Sequence, residues 1–332
     1  MRDLDYALAL DANDDGSISW AELRGSKEVI YAYALRRLDV AWGGQPCPLQ
    51  PATLMVDAHS DGHYAVLKFQ ANCPAVTGQL TLGYHLFFDL DPQHRGLLSL
   101  MRQQHVDTGI FSPDRQQIQF TQAADSSLWR VLANFGYEGI WHIWMGFDHL
   151  LFLLSLLLPA ALVWEKPGWR LKPGVAPVFW DVLAVVSAFT LAHSLTLSLT
   201  ALQYIALPSR WVESAIAASV ALAALNNIYL WFVQRRVWFA FGFGLIHGMG
   251  IASVLLNMGL PGAQRLSALL GFNLGVEAGQ LAIVALVLPF IVGLSRYRFY
   301  PPLAMKFGSL SIVVIALVWL AERSLDVQLN IL

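Results

Sequence analysis

From Gly136 onward the chain is a succession of six apolar runs, with approximate limits 138–163, 177–204, 211–234, 237–258, 266–293 and 304–321. Each is near or above the ~20 residues a helix needs to cross the hydrocarbon core of a bilayer. No other feature restricts the fold as much. Backbone in hydrocarbon must satisfy its hydrogen bonds within the segment, and an α-helix does so. Only 13% of the residues are charged, against about 25% in ordinary soluble domains, and most of the acids come before residue 130. The expected architecture is an α-helical polytopic membrane protein with six transmembrane helices over 136–325. An extracytoplasmic part precedes it, comprising an EF-hand segment (1–42) and a small antiparallel β domain (43–130). The net charge of −2 says nothing about nucleic acid, and no basic stripe points to such a partner, so none is expected.

The loops between the runs are unequal in charge. Lys166, Arg170, Lys172, Arg235, Arg236, Arg296, Arg298 and Lys306 fall on one side, and Arg210, Arg265 and Arg323 on the other. Positive residues stay in the cytoplasm, so both the N-terminal domain and the C-terminus are expected outside. No leader is visible at Met1, because Tyr6–Leu10 is too short and is flanked by aspartates. A leader removed before this numbering begins is the expectation.

Residues 11–22 read Asp-Ala-Asn-Asp-Asp-Gly-Ser-Ile-Ser-Trp-Ala-Glu. This is the spacing of an EF-hand loop: Asp11, Asn13 and Asp15 supply side-chain oxygens, and Gly16 makes the sharp turn. Ser17 offers its carbonyl, Ser19 a contact through water, and Glu22 a bidentate carboxylate. Ile18 occupies the apolar slot, and Ser26–Trp42 reads as the exiting helix. Such a density of hard oxygens is expected to hold Ca2+. EF-hands usually work in pairs, and no second loop follows, so a structural clip is expected rather than a sensor.

Ala52–Ala58 and Tyr64–Gln70 alternate apolar and polar residues around His59-Ser60-Asp61-Gly62, the pattern of a hairpin. Gln79–Asp89 and Gln116–Gln122 read as further strands. Cys47 and Cys73 bracket the hairpin and are expected to form a disulfide, which suits an oxidising compartment. This outer domain is also where a peptide or protein partner would be met.

Ionisable residues inside the apolar runs are costly in hydrocarbon and mark functional sites. His142, Asp148 and His149 open the first run, His193 lies in the second, His247 in the fourth and Glu277 in the fifth. His142 and His149 are two helical turns apart and share one face of a continuous helix. Asp148, His193, His247 and Glu277 each lie about 10 residues from the outer end of their run, roughly 15 Å deep and near the midplane. Imidazoles with carboxylates are ligands for Ni2+, Co2+ or Zn2+, whereas Ca2+ and Mg2+ prefer oxygen alone. A transition-metal site within the membrane is expected. Gly242, Gly244, Gly248, Gly250, Gly271, Gly275 and Gly279 supply small faces for close helix packing.

His142-x5-Asp148-His149, Phe-Thr-x-Ala-His-Ser at 189–194, Ile-His-Gly at 246–248 and Phe-Asn-x-Gly-Val-Glu-x-Gly-Gln at 272–280 together resemble the HupE/UreJ family of membrane proteins. The resemblance covers about 136–320. It implies a nickel or cobalt permease of the bacterial cytoplasmic (inner) membrane, associated with hydrogenase and urease maturation. In it His142, Asp148, His149 and His247 handle the metal. The family's His-Gly motif continues to a glutamate on the same helix. Met249–Ser253 contains none: either Glu277 on the next run replaces it or the chemistry differs from the family's.

A divalent-metal permease, with the metal ion as its substrate, is the favoured reading. The alternative is an intramembrane zinc-dependent hydrolase of peptide or lipid, in which three histidines hold the metal and Glu277 or Asp148 is the general base. A non-catalytic accessory subunit, its polar layer joining helices, is the third.

Overall fold

The computed structural model describes residues 2–59, 62–74, 78–92, 94–102, 105–120, 128–165, 168–205, 207–232, 235–250 and 262–325. They fall into two compact units, one ending at Ser127 and one built mainly from Leu128–Asn257 and Gly262–Leu332.

In the first unit α1 (Arg2–Leu8), α2 (Trp20–Gly25) and α3 (Lys27–Leu35) surround the acidic loop. Gly16 sits at φ +79°, a conformation glycine adopts without penalty. Ser19 caps α2, and Glu22 completes a capping box with it. Leu10, Leu23, Ile30 and Tyr31 form a buried core with Leu54, and Ile18 packs against it. The exiting helix is shorter than the sequence suggests. It ends at Leu35, and the chain turns into β1 (Leu38–Trp42) and β2 (Gln45–Pro46).

The hairpin forms where alternation places it, as β3 (Leu49–His59) and β4 (Gly62–Ala71), with His59 opposite Gly62. Cys47 and Cys73 are joined in a disulfide at its base. β5 is confined to Leu80–Tyr84, since the chain turns over 88–90 and Phe87 takes a positive φ of 63°. A second hairpin, β6 (Gly96–Arg102) with β7 (His105–Phe111), was not expected from the sequence. β8 (Gln117–Phe120) closes a four-stranded antiparallel sheet in the order β2-β1-β5-β8. Tyr84 stacks on Phe111 and its hydroxyl lies 2.8 Å from His94 Nε2.

In the second unit α4 (Leu128–Met145) and α5 (Phe147–Leu157) meet at Gly146 with a bend of 68°. The hairpin β9 (Leu162–Glu165)/β10 (Gly168–Leu171) follows. Then come α6 (Val175–Ala201), α7 (Ser209–Tyr229), α8 (Arg236–His247), α9 (Gly262–Leu294) and α10 (Tyr300–Leu325). Among the described residues α6, α7, α9 and α10 are long and apolar enough to cross a membrane, and the α4–α5 pair makes a fifth span if its two arms count as one.

Two of the six expected runs are therefore reshaped. The first is not one straight helix, because the chain is extended at Gly146 (ψ 94°), where α5 starts afresh. Its last residues enter the β9/β10 hairpin. The fourth yields only the 12 residues of α8, about 18 Å of helix, and 251–261 lie outside the described residues.

The most extensive helix contacts are α4 with α9, α7 with α10, and α6 with α8. Glycines permit two of these. A Cβ on Gly275 would collide with the Gly136 carbonyl, and one on Gly248 with the His193 carbonyl and Thr196 Oγ1. Small-residue faces bring backbones this close in membranes. Gly242 has no such neighbour.

Candidate metal centre

The α4–α5 bend folds the chain back so that two of its histidines face each other. His142, in the last turn of α4, and His149, in the first turn of α5, have ring centroids 4.6 Å apart. The bend, rather than a shared helical face, brings them together. Gly146 is required there: a Cβ would lie 2.7 Å from the His142 carbonyl and 2.9 Å from His149 Nδ1.

α6 adds His193, whose ring centroid is 6.3 Å from that of His149. His142, His149 and His193 each present a ring nitrogen such that the three lie within 4.8 Å of one another. His247, the last residue of α8, stands beside this trio with its ring centroid 5.1 Å from that of His149. His149, His193 and His247 are buried. Asp148 and Glu277 do not join the trio. Glu277 is half-buried on α9.

Hydrogen bonding fixes how two of the rings are presented. Asp148 Oδ1 lies 2.9 Å from His149 Nδ1 and also accepts from the His149 backbone N–H at 2.9 Å. A carboxylate can only accept, so Nδ1 carries the proton and the lone pair of His149 is on Nε2. Ser219 Oγ donates its one proton to the Ile216 carbonyl at 2.7 Å and lies 2.8 Å from His247 Nε2. It therefore accepts from Nε2–H and leaves His247 Nδ1 unprotonated. These two freed nitrogens, together with both ring nitrogens of His193, are buried without a hydrogen-bond partner in the chain. Buried polar atoms are seldom left so. A metal-binding imidazole characteristically gives its other N–H to a carboxylate or hydroxyl, the arrangement at His149 and His247.

Asp148 is held on its outer side as well. Its Oδ2 lies 3.9 Å from Arg323 of α10, and Arg323 Nε lies 4.0 Å from Glu213 Oε2 of α7. Side-chain exposure falls along this row: 51% at Glu213, 28% at Arg323, 19% at Asp148 and 5% at His149. The row leads from the surface to the imidazoles. Sequence reading missed Arg323 and Ser219, since neither sits in a motif with a histidine and Arg323 counts there as an ordinary loop charge.

The other motif residues surround the centre. Thr190 Oγ1 lies 2.7 Å from Gln280 Oε1, joining α6 to α9, and Phe272 packs 5.4 Å from His142. Asn227 donates to the Ser155 carbonyl at 2.8 Å, a tie between α7 and α5 away from the histidines.

In the acidic loop, Asp11 accepts from the N–H groups of Asp15 (3.2 Å) and Gly16 (2.8 Å). Asp15 accepts from the Ser17 N–H and hydroxyl at 2.8 and 2.7 Å. These bonds hold the Asp15 carboxyl below its usual range, and those from Ser19 do the same for Glu22. Glu22 also accepts from the Ala12 N–H at 3.1 Å, across the loop.

A protein-family model described as HupE / UreJ protein matches residues 116–323. No curated protein and no solved structure matches the chain.

Proposed function

The chain belongs to the HupE/UreJ family, and from that premise we propose that it is a membrane permease for a divalent transition-metal ion of the nickel or cobalt type. The single observation that supports this most is the convergence of His142, His149 and His193, with one ring nitrogen of each within 4.8 Å of the others, and His149 Nε2 and both His193 nitrogens unpartnered. His247 is one ring further on, and Asp148 sets the tautomer of His149. Three or four neutral imidazoles bind such ions, yet one carboxylate in the outer shell leaves the site too weakly charged to trap them. Conduction requires that balance.

In this reading the chain crosses the membrane six times. The N-terminal domain and C-terminus face outward, and the acidic loop holds Ca2+ through Asp11, Asn13, Asp15, Ser17 and Glu22 as a structural clip. The ion approaches past Glu213 and Arg323, dwells among the histidines and leaves toward the cytoplasm.

A second reading, an intramembrane zinc hydrolase, draws on the same trio, because three histidines with an open position are a catalytic zinc set. Among the described residues, neither of its two candidate bases is placed to act. Asp148 is engaged by His149 and Arg323, and Glu277 stands outside the trio. Uptake of radiolabelled nickel or cobalt into proteoliposomes decides between them. The permease predicts saturable uptake that His149→Ala abolishes. Wild-type-level uptake by that variant would refute it.

A further inference from the structure

Three helices carry the same order of side chains. Running along α5 away from the metal centre, His149 is followed by Phe152 and then Leu153 and Leu156. On α6, His193 is followed by Phe189 and then Val186 and Val185. On α8, His247 is followed by Phe243 and then Val237 and Arg236. In each case the aromatic is about one helical turn from the histidine.

The three phenyl rings form one layer: Phe152 lies 5.0 Å from Phe189 and 5.7 Å from Phe243, centroid to centroid. One side of the layer touches the imidazoles, with Phe152 and Phe189 at 5.2 and 5.3 Å from His247. Further along the same helices from the histidines is a cavity of about 250 Å³, whose lining includes the leucines and valines just named with Asp181 and Arg236 but none of the three phenylalanines.

We propose that this cavity is the hydrated exit vestibule for the ion and that Phe152, Phe189 and Phe243 are the plug separating it from the metal centre. The proposal rests on the permease reading. Asp181, ion-paired with Lys172, and Arg236 stand on the cavity wall. Charged side chains facing hydrocarbon are costly, so a cavity bearing both is filled by water and not by lipid. At ~30 Å³ per water it holds about eight, enough for a cation with its first hydration shell. The plug is buried: Phe152 and Phe189 are each 2% exposed and Phe243 9%. A ring of phenyl groups resists a hydrated ion until it opens, in the manner of hydrophobic gates that work by dewetting. The valines and leucines of the wall offer an ion no ligand, and the one carboxylate there, Asp181, is already paired with Lys172.

The test uses introduced thiols in the full chain reconstituted in vesicles. Cys47 and Cys73 are the only cysteines and are bonded to each other, so there is no free-thiol background. Val185→Cys places a thiol in the cavity, and Ser219→Cys places one beside His247. A charged, membrane-impermeant thiosulfonate is applied from either side. The expected result is modification of V185C only from the side on which the positive loop residues Lys172 and Arg236 lie. S219C should resist from that side and become reactive, at least about tenfold faster, when Phe189→Ala is added. Phe189→Leu serves where the alanine variant does not fold.

No modification of V185C from that side, or equal reactivity of S219C with Phe189 in place, overturns the proposal. Uptake by the wild type is measured in the same vesicles. Labelling as expected without any uptake overturns the exit role along with the permease reading. Uptake with V185C inert overturns the vestibule alone.

Discussion

His149 Nδ1 and Asp148 Oδ1 are 2.9 Å apart, neighbours in sequence whose side chains meet because α5 begins there. The carboxylate keeps the imidazole proton on Nδ1 and so leaves the buried Nε2 with its lone pair. Asp148→Asn preserves shape but can offer Nδ1 an amide in place of a charge. Removing such outer-shell carboxylates costs roughly 10–100-fold in metal affinity. Calorimetric titration of D148N with nickel should show a loss in that range with an unchanged unfolding temperature. Unchanged affinity would remove Asp148 from the centre.

Gly146 separates the two arms that carry His142 and His149. An added methyl meets the His142 carbonyl and the His149 ring, and the carbonyl cannot yield without moving the helix. Gly146→Ala should destabilise by ~1–3 kcal/mol and lose most uptake. Gly242→Ala, where a Cβ meets nothing within 4 Å, should be neutral or slightly stabilising through helix propensity. Thermal unfolding and uptake of the pair decide this. Equal behaviour of the two variants would mean the bend is not set by Gly146.

The histidines, Asp148 and the glycine faces were legible in the sequence because polar residues in apolar runs stand out and small residues recur at helical spacing. Two things were not. The bend at Gly146 looks from sequence like any other glycine, since only its φ/ψ and the atoms around it distinguish it. Glu277 reads as a member of the layer by depth alone, and depth carries no information about which way a helix is turned. In the N-terminal unit β3/β4 was visible through strict alternation. β6/β7 was hidden because Gly96–Arg102 includes a Leu-Leu-Ser-Leu-Met stretch without a clear period of two.

The acidic loop predicts a pH profile. Hydrogen bonds lower the Asp15 and Glu22 carboxyl pKa values relative to an unfolded chain. A lowered carboxyl contributes stability that is fully present above its unfolded pKa, near 4, and is lost as pH falls through the lower folded value. Calcium affinity, followed through the fluorescence of half-exposed Trp20 beside the loop, should therefore be nearly flat between pH 7 and 5. It should fail below about 4, where the carboxylates begin to protonate. Glu22→Gln should weaken binding at least about tenfold at neutral pH by removing a ligand charge. A flat profile with no response to calcium would leave the loop a capped turn.

Arg323 sits between two carboxylates, 3.9 Å from Asp148 and 4.0 Å from Glu213, and so competes with an arriving cation for the same charge. At that distance a unit charge interacts by about 4 kcal/mol at an effective dielectric of 20. The side chain is 28% exposed, and pairs open to water usually realise only ~0.2–1 kcal/mol. Arg323→Gln should then tighten nickel binding by about 2–5-fold at low ionic strength, with the gain shrinking in 0.5 M salt as screening rises. Turnover should fall if release becomes limiting, and Arg323→Lys should restore both. Arg323 also donates to the Glu213 carbonyl at 3.4 Å, so a purely structural role is the competing account. That account predicts a lower unfolding temperature in R323Q with no change in affinity and no salt dependence, so titrations at two salt concentrations separate them.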